Sequence, residues 1–78
     1  MRNNVFEYID IVNDRWEIYF SIDNKYVYAD RRINNYFEPM CDICIVDGKL
    51  NFSKYNSQKL PADVINYIKK LFKNKSFI

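Results

Sequence analysis

A C-x-x-C spacing, Cys41-Asp42-Ile43-Cys44, is the first arrangement in this chain whose residue types could do chemistry. Two such thiols exchange disulfides or share a metal when both sulfurs reach one point, and a redox pair of this kind sits at a helix N-terminus, which lowers a thiol pKa. Here Cys41 to Val46 is an apolar, β-branched run that reads as a strand. Residues three apart on a strand face opposite ways, so the thiols should diverge, and neither a disulfide nor shared ligation is expected. The chain has no His and no third Cys to complete a structural zinc site. Lack of His also removes the usual Ser–His and Cys–His nucleophile machinery. With one glycine, Gly48, there can be no Gly-rich phosphate loop. Asp10 with Asp14, and Glu17 with Asp30, are acid pairs that could hold a metal or move a proton; they read as surface charge. The expectation is a protein that is not an enzyme, with no catalytic residue, no cofactor and no metal.

Binding chemistry is better represented. Seven Tyr, six Phe and Trp16 are aromatic. Tyr19, Tyr26 and Tyr28 fall on one strand face, with Arg15 and Arg32 nearby. An aromatic, Arg-flanked sheet face can stack single-stranded bases. It can equally anchor a protein partner, since Tyr and Arg are enriched at hot spots. Tyr pairs across strands also stabilise a sheet with no partner at all. A second candidate surface is basic. Residues 54–78 hold six Lys and one Asp, a net of +5, whereas residues 1–53 hold six basic and nine acidic side chains, a net of −3. Such asymmetry can mark an interaction surface, with Lys69, Lys70 and Lys73 as its candidate residues, or it can be no more than a solvated helix face.

These residues need elements to position them. Val5 to Val12 reads as a first strand and Asn13-Asp14 as a turn. Arg15 to Ile22 alternates, with Trp16, Ile18, Phe20 and Ile22 on one side and Arg15, Glu17, Tyr19 and Ser21 on the other. Asp23-Asn24 fits a two-residue turn, and the return strand Lys25 to Arg31 then sets Phe20 against Val27, Ile18 against Ala29 and Tyr19 against Tyr28. Arg32 to Met40, with Pro39, reads as a connection. Asp47-Gly48 favours a type I′ hairpin that pairs Ile45 with Leu50 and Ile43 with Phe52. After a polar loop, Pro61 opens a helix whose apolar stripe is Val64, Ile65, Ile68, Leu71 and Phe72, with Asp63 in its first turn and Lys70, Lys73 and Lys75 near its end. The predicted fold is a single α+β domain over residues 1–78: an antiparallel sheet of about five strands, made of two hairpins and an N-terminal strand, packed on one C-terminal helix.

Composition frames the function. Two Cys are no disulfide framework. The N-terminal residues carry no long apolar run, and no segment approaches the roughly 20 apolar residues of a membrane span. Asn51-Phe52-Ser53 and Asn74-Lys75-Ser76 match the glycosylation pattern, which means nothing without secretion. The expected place is a reducing cytoplasm. Asn, Ile, Lys, Tyr and Phe make up 41 of 78 residues, against two Ala and one Gly. Their codons are A/T-rich, which points to a low-GC bacterium, its phage or a plasmid. No motif assigns a family. In size, composition and strand-rich plan the chain resembles small phage-encoded proteins, anti-CRISPR inhibitors among them. That resemblance implies action without chemistry, by occupying a surface of a larger host protein, as a single chain or as a homodimer. The alternative is a small single-stranded nucleic-acid-binding domain, against which the small basic excess argues.

Overall fold

The chain turns on asparagine. Four connections join five strands, and each carries an Asn or Asp with positive φ: Asn13 at 70°, Asn24 at 57°, Asn34 at 55° and Asp47 at 52°. These short polar side chains tolerate the left-handed region that most residues avoid. Asp47 is followed by the only glycine, Gly48 at φ 72°, so both central residues have the positive φ of a type I′ turn. In the computed structural model, which describes residues 5–74, the strands are β1 (Val5–Ile9), β2 (Arg15–Phe20), β3 (Tyr26–Ile33), β4 (Tyr36–Val46) and β5 (Lys49–Asn51). They form one antiparallel sheet in the order β1-β2-β3-β4-β5, a plain meander.

Registers follow the alternation of the sequence. Ile18 lies opposite Ala29, Tyr19 opposite Tyr28 and Phe20 opposite Val27. Ile45 lies opposite Leu50 across the Asp-Gly turn. One face therefore collects Trp16, Ile18, Phe20, Val27, Ala29 and Ile43, all buried. Two helices cover that face, α1 (Lys54–Lys59) and α2 (Ala62–Asn74). Leu60, Val64 and Ile68 complete the buried core, with Ile65, Leu71, Phe72, Leu50 and Phe52 packed at its margin. The result is a two-layer α+β arrangement.

Four expectations need correction. There are two helices, not one. Lys54–Lys59 has no apolar stripe, and its start is fixed by a capping box: Ser53 Oγ accepts from the Asn56 amide, while the Ser53 amide donates to Asn56 Oδ1. Asn56 is buried and its side-chain amide donates to the Asp42 carbonyl at 2.9 Å, tying α1 to β4. The second correction concerns residues 32–40, which are no loose connection. β3 runs to Ile33, the chain reverses at Asn34-Asn35, and β4 returns with Pro39 in the ladder. Pro39 is tolerated because β5 pairs only with Cys44–Val46, leaving this half of β4 an edge, and because the register slips by one residue beside it. Third, β1 stops at Ile9, where Asp10 turns inward. Fourth, Ile22 is not core. β2 ends at Phe20, and a four-residue loop closed by the Ser21 amide on the Tyr26 carbonyl leaves Ile22 fully exposed. Two- and four-residue loops of this kind preserve the same pairing, so the register still held.

The sheet edges are guarded. The Glu7 carbonyl in β1 accepts from the Tyr67 hydroxyl of α2 at 3.5 Å, and the Asp42 carbonyl in β4 is taken by Asn56. β5 is three residues long, and Pro39 with the adjoining bulge interrupts β4. Each of these blocks strand-to-strand association.

Candidate functional site

Alternation along β2 and β3 puts Tyr19, Tyr26 and Tyr28 on the sheet face opposite the helices. Tyr19 and Tyr28 are register partners whose ring centroids lie 5.0 Å apart, and Tyr26 lies 6.1 Å from Tyr28, near parallel at 25°. Each ring is half-buried by its neighbours. The three side chains form one continuous aromatic patch, and among the described residues no helix lies over it.

Arg15 and Arg32 share this face but stand apart from the rings. Each is four residues from a tyrosine on its own strand, Arg15 from Tyr19 and Arg32 from Tyr28, which is about 13 Å at the usual strand rise. Glu17 and Asp30, themselves register partners, occupy the positions between. Arg32 is exposed and its Nε donates to the Asn34 carbonyl at 3.1 Å. Lys69, Lys70 and Lys73 lie on α2, on the other side of the sheet, all exposed. Lys69 holds its ammonium 5.6 Å from the centre of the Phe52 ring. The structure thus brings the tyrosines together and separates them from the lysines, making two surfaces of opposite orientation.

The acids differ most from their surface reading. Asp30 and Asp10 are 2% and 5% exposed. Asp10 is the hub of the β1–β2 loop. Its Oδ2 accepts the Trp16 indole N–H at 2.9 Å, and its Oδ1 accepts the amides of Val12 and Asp14 at 3.0 and 2.8 Å. Burial pushes this carboxyl up, but the bonds from Trp16, Asp14 and Val12, with the charge of Arg31, outweigh it and hold the group below its usual range. Asp63, in the first turn of α2, meets the same loop: its Oδ2 accepts from the Tyr8 hydroxyl and the Ile11 amide, each at 3.0 Å. Tyr8 also stacks on Tyr67 with centroids 4.3 Å apart. Burial, then the bond to Asp63, pushes the Tyr8 phenol above its usual value. None of this network was visible as chemistry in the sequence; an Asp ahead of Asn13-Asp14 was the one local hint of a side-chain-capped turn.

Cys41 pairs with Ala29 on the core face and is half-buried, while Cys44 pairs with Tyr26 on the tyrosine face and is exposed. The thiols diverge as a strand requires, and burial pushes the Cys41 thiol up. Among the described residues no group of three or more Cys, Asp or Glu could hold a metal ion, and no helix is long and apolar enough to cross a membrane. A scan against protein-family models, a search of curated proteins and a search of solved structures each return no match.

Proposed function

We propose that this chain is a small non-enzymatic binding protein, an inhibitor in effect, that acts in the cytoplasm by occupying a surface of a larger host protein. The observation that carries the reading is the contiguous patch of Tyr19, Tyr26 and Tyr28 on the sheet face opposite the helices. Tyrosines supply large contact area with few rotatable bonds, so they lose little entropy on docking. The rings already pack on one another, Tyr26 stacked on Tyr28 and Tyr19 tilted against it, which lowers that cost further. Such a mode of action fits a phage or mobile-element product that counters a host defence, as anti-CRISPR inhibitors do, and needs no cofactor.

Nucleic-acid binding is the second reading. Stackable tyrosines favour it; the separation of the rings from Lys69, Lys70 and Lys73 disfavours it. A strand laid along the tyrosines would run past Glu17 before reaching Arg15. Titration of labelled mixed-sequence single-stranded DNA and RNA at rising salt separates the readings. The proposal expects no saturable binding at physiological salt. Tight binding that falls with a slope of about −0.7 per phosphate contact, and that is lost when Lys69, Lys70 and Lys73 become Ala, would replace it with the nucleic-acid reading.

A further inference from the structure

Charge is unevenly set around the tyrosine patch. Glu17 lies two residues from Tyr19 along β2, and Asp30 two residues from Tyr28 along β3, roughly 7 Å in each case at the usual strand rise. Asp42, on β4, is the register partner of Tyr28 and is exposed. Among the described residues, no Lys or Arg holds a strand position beside a ring on this face. Arg15 and Arg32 stand about 13 Å from the tyrosines of their strands, beyond the Debye length of ~8 Å at physiological salt. The carboxylates also oppose one another. Glu7, Glu17 and Asp30 are in register across β1, β2 and β3, one row of three acids. Like charges directly opposite destabilise a sheet. Arg15 and Arg32 border the far side of this row; the side toward the rings has no cation at a strand position among the described residues.

We infer that the tyrosine face docks an arginine-bearing protein surface, with guanidinium groups laid on the rings and paired to Glu17 and Asp42. The inference rests on the protein-binding reading and adds to it the chemistry of the partner. A guanidinium is planar, so it stacks on a ring and meets a carboxylate through two parallel N–H donors. Tyr19 beside Glu17, and Tyr28 opposite Asp42, offer both contacts at once. An arriving cation also relieves the repulsion between Glu7 and Glu17, which are both on this face. The patch lies on a sheet face with no described helix over it, so it suits the broad surface of a protein; a small organic cation needs a concave site. Phosphate groups are repelled by the same carboxylates. A second copy of this chain, bringing its own Arg15 and Arg32, is the rival occupant that the test separates.

The test titrates isotope-labelled wild type with decaarginine and, separately, with decalysine at physiological salt, following the Tyr19, Tyr26 and Tyr28 ring signals by NMR. Glu17→Gln with Asp42→Asn removes two charges at constant shape; near-UV circular dichroism checks that it is folded, and Asp42→Asn alone serves where it is not. Decaarginine should shift the ring signals of wild type saturably and bind more tightly than decalysine. The charge-removed variant should bind it about tenfold or more weakly. Ring signals that stay in place, a charge-removed variant that binds as wild type does, or decalysine bound as tightly would each overturn the inference. The parent reading is judged separately, by a host protein captured on wild type and lost from Tyr19→Ala with Tyr28→Ala. If that protein binds the charge-removed variant at full affinity, the inference falls and the parent reading stands; if wild type captures no protein, both fall. Dimerisation in sedimentation that the charge-removed variant abolishes would overturn the inference in favour of a second copy.

Discussion

Tyr8 in β1 and Asp63 in α2 are 55 positions apart in sequence and 3.0 Å apart at the hydroxyl and Oδ2. The bond fastens the edge strand to the helix N-terminus, and the same oxygen holds the Ile11 amide. Among the described residues the buried Asp63 Oδ1 has no hydrogen-bond partner, so the carboxylate relies on these donors and on the positive end of the helix. Tyr8→Phe keeps the stack on Tyr67 and should be the milder change; Asp63→Ala removes the acceptor of two donors and should cost about 1–3 kcal/mol. Urea melts measure both. An order reversed, with Tyr8→Phe the worse, would show that the clip does not hold the edge.

Asp10 predicts an acid sensitivity. Its folded-state pKa is depressed, so its contribution is fully present above the unfolded value of about 3.9 and is lost as pH falls through the folded value. Stability measured downward from pH 5 should therefore fall in wild type more steeply than in Asp10→Asn, which cannot titrate. Asp10→Ala leaves the Trp16 indole and two amides without their acceptor and should cost roughly 3–5 kcal/mol, enough to unfold much of a domain this size. Parallel pH profiles for wild type and Asp10→Asn would remove Asp10 from the account.

The helix layer gives a simple contrast. Ile68 is fully buried, and Ile68→Ala should cost about 2–5 kcal/mol. Lys69, next to it, is exposed with its ammonium over the Phe52 ring, so Lys69→Ala should cost about 1 kcal/mol or less. Equal, mild losses in denaturant melts would mean that α2 does not seal the core face.

Strand facing predicts different thiol reactivities. Cys44 is exposed on the tyrosine face, whereas Cys41 is half-buried with its thiol pushed up. Iodoacetamide at neutral pH should modify Cys44 first and Cys41 several-fold more slowly, as peptide mapping over time would show. Equal rates would contradict the opposite facing of the pair.

Much of the fold was legible because two signals agreed. Alternation from Arg15 to Phe20 set the facing of β2, and its pairing with β3 came out as read; the Asp47-Gly48 turn set Ile45 opposite Leu50, but β5 ends at Asn51, before the expected pair of Ile43 with Phe52. Pro39 misled because a proline argues against a strand unless the strand is an edge, and edge status is a property of the whole sheet. Asn34-Asn35 contains no Gly and so gives no strong turn signal, yet Asn34 supplies the positive φ as Asn13 and Asn24 do elsewhere. The short helix α1 depends on a cap rather than on a stripe. Of the candidate surface, the tyrosine cluster followed from register alone, whereas the loop held by Asp10 and Asp63 did not. Ile11 and Val12 look like strand residues, and the groups that fix the loop, Trp16 and Asp63, are distant or apolar in the sequence.

The central claim is that the tyrosine face, and not the lysine-bearing helix, makes the functional contact. Its most direct measurement is quantitative capture from native-host lysate on immobilised wild type, on Tyr19→Ala/Tyr26→Ala/Tyr28→Ala, and on Lys69→Ala/Lys70→Ala/Lys73→Ala, each verified as folded and washed at low and moderate salt. The account predicts a specific protein that is retained by wild type and by the lysine variant, survives the salt wash, and is lost from the tyrosine variant. Retention by the tyrosine variant, with loss from the lysine variant and release by salt or nuclease, would contradict it.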